Sequence, residues 1–207
     1  VPTNVTSNET WNGTSWTEEG DLNTARSMLA GAGTSSEAAL VFGGNNPGGT
    51  RLAITESWNG SAWTEVADLN TGRRQLAGIG TSTSALAFGG ETPAVAAVVA
   101  LTESWNGTSW TELNDLNTAR LGLAGAGADN TLALAFGGQS PTVTAVTEDW
   151  DGVSWTEVAD LSTARYALGG IGTQTAALAF GGLAPAATTA TEEWSSSSNV
   201  IKVITTS

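Results

Sequence analysis

The sequence predicts an all-β chain built from one four-stranded unit repeated about four and a half times. Three observations carry that expectation. Tryptophans fall in pairs five residues apart, at Trp11/Trp16, Trp58/Trp63, Trp105/Trp110 and Trp150/Trp155, with Trp194 alone. All four phenylalanines, Phe42, Phe88, Phe136 and Phe180, stand in Phe-Gly-Gly. An Asp-Leu-x-Thr-x-Arg phrase recurs, with Asp21, Asp68, Asp115 and Asp160 each followed five positions later by Arg26, Arg73, Arg120 and Arg165. Successive second tryptophans lie 47, 47 and 45 residues apart, and self-similarity at a fixed period of this size marks a repeat architecture.

The 207 residues make one domain, divided into a partial unit at 1–24 and units at about 25–70, 71–117, 118–162 and 163–207. In the unit 71–117 the expected strands are 75–80, 85–88, 102–105 and 109–113. The third and fourth are joined by Asn-Gly at 106/107, as at 12/13 and 59/60, and by Asp-Gly at 151/152 in the next unit. That dipeptide between strand-like runs predicts a tight hairpin with a type I′ turn. The partial unit supplies only third and fourth strands, at 5–11 and 15–18. The last unit departs from the pattern: a serine run at 195–198 and a strand-like 200–206 replace Trp-Thr-Glu. Because the chain starts at Val1, with neither methionine nor a charged-then-apolar leader, upstream processing or truncation is expected.

The first strand of each unit carries glycines two apart, at 31/33, 78/80, 125/127 and 170/172. Period two places both on one strand face, and strand glycines mark close approach of another backbone. Strands crowded around a narrow axis, with tryptophans filling the wider space farther out, give the taper of a β-propeller of four-stranded blades. Four blades are expected, or five with the first incomplete.

The phrases Leu86-Ala-Phe-Gly-Gly, Glu103-Ser-Trp-Asn-Gly-Thr-Ser-Trp-Thr-Glu-Leu and Asp115-Leu-Asn-Thr-Ala-Arg resemble a kelch repeat. The likeness runs over the whole chain and occurs four times. It implies a kelch-like propeller whose framework residues are the doublets Gly43-Gly44, Gly89-Gly90, Gly137-Gly138 and Gly181-Gly182, the tryptophans Trp16, Trp63, Trp110 and Trp155, and the arginines Arg26, Arg73, Arg120 and Arg165. Trp105 stands where the family usually has tyrosine. Each framework arginine is expected to bond turn carbonyls or to pair with the aspartate five residues earlier. Glu65, Glu112 and Glu157 are expected to be solvated.

Composition narrows the chemistry. Twenty acidic against 7 basic side chains give a net charge of −13, which excludes a phosphate-backbone partner that needs clustered Lys and Arg. Histidine and cysteine are absent, so thiol nucleophiles, imidazole bases and the usual zinc or copper ligand sets are out of reach. The copper centre that some kelch propellers carry has no histidine ligands here. The one tyrosine, Tyr166, sits beside Arg165 as a packing substitution. The chain is read as no enzyme, with no catalytic residue, cofactor or metal, and no apolar run is long enough for membrane insertion. Asn-x-Ser/Thr triplets at Asn4, Asn8, Asn12, Asn59 and Asn106 are chiefly by-products of the turns.

Comparison among the units locates the variable region after each Gly-Gly doublet, at 45–54, 91–101, 139–146 and 183–190, with Pro47, Pro93, Pro141 and Pro185 in these loops. Diversified loops on a rigid scaffold are where binding concentrates. Asn46, Arg51, Glu91, Thr92, Gln139 and Ser140 are the candidate binding residues. The expected function is a non-catalytic structural or attachment propeller of a virion (phage fibre or capsid-associated) or a cell surface, contacting a protein or cell-surface glycan as part of a larger assembly. The near-identical repeats and Ser/Thr/Gly/Ala-rich composition resemble tandem kelch-like repeat proteins of marine phages. The alternatives are a lectin-like glycan-binding module and a fragment of an intracellular kelch adaptor.

Overall fold

The computed structural model describes residues 4–94, 97–184, 186–196 and 202–204. Its strands are β1 (Glu9–Trp11), β2 (Trp16–Glu18), β3 (Ala30–Ser35), β4 (Ala38–Phe42), β5 (Thr55–Trp58), β6 (Trp63–Glu65), β7 (Ala77–Gly80), β8 (Ala85–Phe88), β9 (Thr102–Trp105), β10 (Trp110–Glu112), β11 (Ala124–Asp129), β12 (Leu132–Phe136), β13 (Thr147–Trp150), β14 (Trp155–Glu157), β15 (Gly169–Thr173), β16 (Ala176–Phe180), β17 (Thr191–Ser195) and β18 (Lys202–Ile204). Each group of four from β3 onward forms an antiparallel sheet in chain order, and β1 pairs only with β2. The molecule is a four-bladed β-propeller with one additional two-stranded hairpin. The unit 71–117 has its four strands as expected, except that the first begins at Ala77, after the left-handed backbone of Gln75 (φ +54°), and the fourth is shorter, Trp110–Glu112 in place of 109–113. Of the expected tail strand, Lys202–Ile204 is observed; 200, 201, 205 and 206 lie outside the described residues, as do 197 and 198 of the serine run and Pro185.

The hairpin turns differ from type I′. Trp11 faces Trp16, Trp58 faces Trp63, Trp105 faces Trp110 and Trp150 faces Trp155 across the ladder. The turn is therefore four residues long, with the glycine as its first central residue. Gly13, Gly60, Gly107 and Gly152 have φ of +90° to +94°, while the following residue has no positive φ, and type I′ needs both. The leading Asn or Asp decides the geometry. Its Oδ1 accepts two backbone N–H groups, as Asn106 does from Thr108 and Ser109 at 2.9 Å each, an arrangement in which Asx side chains mimic a backbone turn.

The core lies between blades. Leu40 and Phe42 of the first blade pack with Ala85, Ala87, Trp105 and Trp110 of the second. Leu86 and Phe88 then meet Ala133, Ala135, Trp150 and Trp155 of the third, and Leu134 and Phe136 meet Ala177, Ala179 and Trp194 of the fourth. The second strand thus alternates a small face toward the preceding blade with a large face toward the following one. A strand covered on both sides reads as a continuous apolar run, which is why Ala85–Phe88 is buried at every position.

Three devices recur at each of these boundaries. The phenylalanine ring lies over the first glycine of the next blade: a Cβ on Gly78, Gly125 or Gly170 would stand 2.5, 2.6 or 2.7 Å from the Cζ of Phe42, Phe88 or Phe136. This knob, besides the narrow axis, is the packing reason for those glycines. Next, the N–H of the second doublet glycine donates across the boundary, from Gly44 to Arg73 O, Gly90 to Arg120 O and Gly138 to Arg165 O, at 2.9 Å each. Finally, a left-handed residue two positions past each framework arginine donates to its counterpart one blade back: Gln75 N to Met28 O, Gly122 N to Gln75 O and Ala167 N to Gly122 O. The glycine-bearing strands β3, β7, β11 and β15 together line an open central cavity of about 680 Å³.

Candidate functional site

The framework arginines are consumed by structure. Arg26, Arg73, Arg120 and Arg165 have fully buried side chains, paired with Glu56, Glu103, Glu148 and Glu192 at 2.6, 3.1, 2.8 and 2.9 Å. The expected partner, the aspartate five residues earlier, is replaced by the glutamate of the third strand. That strand runs beside the arginine, whereas Asp68, Asp115 and Asp160 turn to accept the backbone N–H of Thr55, Thr102 and Thr147. The expected carbonyl bonds are present: Arg26 Nη1 donates to Ile54 O at 2.7 Å and Gly43 O at 3.3 Å. Burial lowers the pKa of Arg26, Arg73 and Arg120, and Glu56, Glu103 and Glu148 oppose that shift. The signal for the glutamates was in the sequence, since each stands two residues before a tryptophan in Thr-Glu-x-Trp. Glu65, Glu112 and Glu157 are exposed.

The variable loops leave the same end of each second strand and share one face of the propeller. The residue after each doublet anchors its loop, bridging inward and outward: Asn45 to Ser27 and Arg51, Glu91 to Arg74 and Val98, Gln139 to Leu121 and Val143, Leu183 to Tyr166 and Ala187. Of the candidate residues, Arg51 and Glu91 are brought together across the first blade boundary as an ion pair. Glu91 also accepts from Arg74 Nε at 3.2 Å and Nη2 at 3.0 Å. Burial pushes the Glu91 pKa up, but the hydrogen bonds from Arg51 and Arg74 outweigh it and hold it below the ordinary glutamate value. Glu91 and Thr92 are buried, so they hold the loop rather than face outward. Asn46 caps its own loop by accepting Thr50 N–H at 2.9 Å. Gln139 and Ser140 stand apart, in the third blade, where Gln139 Nε2 donates to Pro141 O at 3.3 Å. Arg74, which completes the charged cluster, was missed because it adjoins a framework arginine and has no charged counterpart in Ser27, Leu121 or Tyr166.

The tryptophans divide by position. Trp58, Trp105, Trp150 and Trp194 each donate Nε1–H to a turn carbonyl of their own blade. Trp110 and Trp155 reach the preceding blade, donating to Thr55 and Thr102 Oγ1 at 3.0 Å and packing on Phe42 and Phe88. Trp63 stands at the same position, and its buried Nε1 makes no hydrogen bond among the described residues. Trp11 and Trp16, on the additional hairpin, are exposed. With Trp58 and Trp63 they line a groove of about 390 Å³ that also includes Asn8, Glu9, Thr10 and Ser36.

Framework and loops together define a four-bladed β-propeller with an invariant packing skeleton and one diversified face. No protein-family model matches the chain, and no curated protein matches it.

Proposed function

We propose that the chain is a non-catalytic, kelch-like propeller serving structure or attachment in a virion, as a fibre or capsid-associated part, or on a cell surface. The kelch resemblance is supported by the roles of most of its key residues: the doublets Gly43-Gly44, Gly89-Gly90 and Gly137-Gly138, the tryptophans Trp110 and Trp155 and the four framework arginines act in blade packing, whereas Trp16, expected in the framework, is exposed. The observation that carries the reading is the division of labour between skeleton and loops. Buried glutamates, the carboxylates best placed for acid–base chemistry, are tied to arginines. What differs from unit to unit is the loop set on one face, anchored at its base to the scaffold, which suits contact with a protein or receptor. Localisation on purified particles or cell envelopes, by immunogold labelling, tests this: label on the particle surface is expected, and a wholly cytosolic protein contradicts it.

A second reading, a lectin-like module, is favoured by the Trp11/Trp16/Trp58/Trp63 groove, since indole faces beside Asn8, Thr10 and Ser36 offer stacking and hydrogen bonding to a sugar ring. A glycan array decides it. Binding lost in Trp16→Ala supports the module, and no binding above background removes it.

A further inference from the structure

The three devices that join successive blades are all absent, among the described residues, where the fourth blade should meet the first. Phe180 is 43% exposed, and its ring folds back over Gly169 of its own blade, where a Cβ would stand 2.3 Å away. The other units have Ala30, Ala77 and Ala124 at that position. Gly31, the glycine that should receive a ring from the preceding blade, is exposed, and a Cβ there would meet only its own strand neighbour, Leu40 O at 3.3 Å and Val41 at 3.7 Å. Gly182 N–H makes no bond equivalent to Gly44, Gly90 and Gly138, and Met28 N–H none equivalent to Gln75, Gly122 and Ala167. Both Met28 and Ile171 are at least half exposed.

We propose that these two faces bind each other between molecules, the fourth blade of one copy seating on the first blade of a second. Two elements left over on one face have counterparts on the other, the Phe180 ring with the Gly31 slot and the Ala167 carbonyl with Met28 N–H, whereas the Arg26 backbone is already bridged to Val5. The occupant is a second copy because this chain carries both halves of an interface that it already forms three times internally. The matching groups lie at the inner half of the blade; at the outer half, β17 and β18 of the incoming blade take the place that β1 and β2 hold near Trp58 and Trp63, so seating displaces that hairpin. Such a contact is heterologous, so copies add head to tail into a ring or a filament. The inference goes beyond the attachment reading and holds whatever the loops bind.

Sedimentation equilibrium over a wide concentration range tests it, with Phe180→Asp and Gly31→Val, both at exposed sites, checked for native circular dichroism. The wild-type weight-average mass is expected to climb above the 20.9 kDa of one chain, and each variant alone to remain there. Mixed in equal amounts, the variants are expected to reach twice that mass and stop, because Phe180→Asp retains the slot and Gly31→Val retains the ring. A wild-type chain monomeric at every concentration overturns the proposal, as does association that only one variant abolishes, or a mixture that fails to pair.

Discussion

The tetrapeptide Ala-Leu-Ala-Phe occurs at 85–88, 133–136 and 177–180, and the structure treats the copies differently. In the second and third blades all four residues are buried. In the fourth only Ala177 and Ala179 are, while Leu178 and Phe180 face outward. Identical sequence with different burial shows that a blade has no core of its own and borrows one from each neighbour. This is the expectation for repeat proteins, where stability is a sum of unit and nearest-neighbour terms. The fourth blade has one neighbour's worth.

That contrast can be broken most forcefully at the buried ion pairs and phenylalanines of the inner blades. Glu148→Ala leaves Arg120 charged and unpaired in the interior, a change that costs about 3–5 kcal/mol and should show as a large drop in the denaturant midpoint. Phe88→Ala removes a fully buried ring at about 3–5 kcal/mol, whereas Phe180→Ala, measured on dilute protein, should cost about 1 kcal/mol or less, in the range of surface changes. Equal losses for the two would abolish the distinction between inner boundaries and the open seam.

Glycine substitutions sharpen the same point. In Gly125→Val the new side chain meets Phe88 and Ile79 and should destabilise by about 1–3 kcal/mol through overpacking. Gly31→Val, with no ring above it, should fall within about 0.5 kcal/mol of wild type. The tryptophans give a contrast in sign. Phe in place of Trp110 forfeits the bond to Thr55 at a cost of about 1 kcal/mol. In place of Trp63 it removes a buried donor that has no acceptor among the described residues, and should be neutral or slightly stabilising. Thermal melts of the pair suffice.

The smallest effect is the pH response of the loop cluster. The folded-state pKa of Glu91 is depressed, so its contribution is fully present above the unfolded glutamate value of about 4.3 and disappears as pH falls through the lower, folded value. Glu91→Gln should therefore flatten part of the acid limb of the stability profile and leave the neutral-to-alkaline limb unchanged in slope.

Much of this fold was legible in the sequence because the repeat averages out local ambiguity. Four copies of Phe-Gly-Gly and of Thr-Glu-x-Trp fix strand order where one copy would not. The paired glycines announced close approach, and the loops announced themselves by differing. What stayed hidden depends on partners distant in the chain. Arg73 chooses Glu103, 30 residues onward, over the nearer Asp68, because blade geometry rather than sequence proximity sets the distance. The turn type escaped because Trp105 and Trp110 pair across it, which moves the central residues one place. Nothing in the text of 177–180 distinguishes it from 85–88, so the uncovered face of the fourth blade is visible only in three dimensions. Of the candidate binding residues, the sequence located the right loops but not which side chains turn inward, since the burial of Glu91 rests on Arg51 from another blade.

Native-state hydrogen exchange on dilute protein tests the central claim most directly, comparing the backbone amides of β7–β8 with those of β15–β16. If burial is borrowed from neighbours, the β15–β16 hairpin, covered on one side, opens by a lower-energy local route and exchanges at least about tenfold faster, equivalent to about 1.4 kcal/mol. Equal protection in the two hairpins would mean that each blade stabilises itself, and would contradict the account.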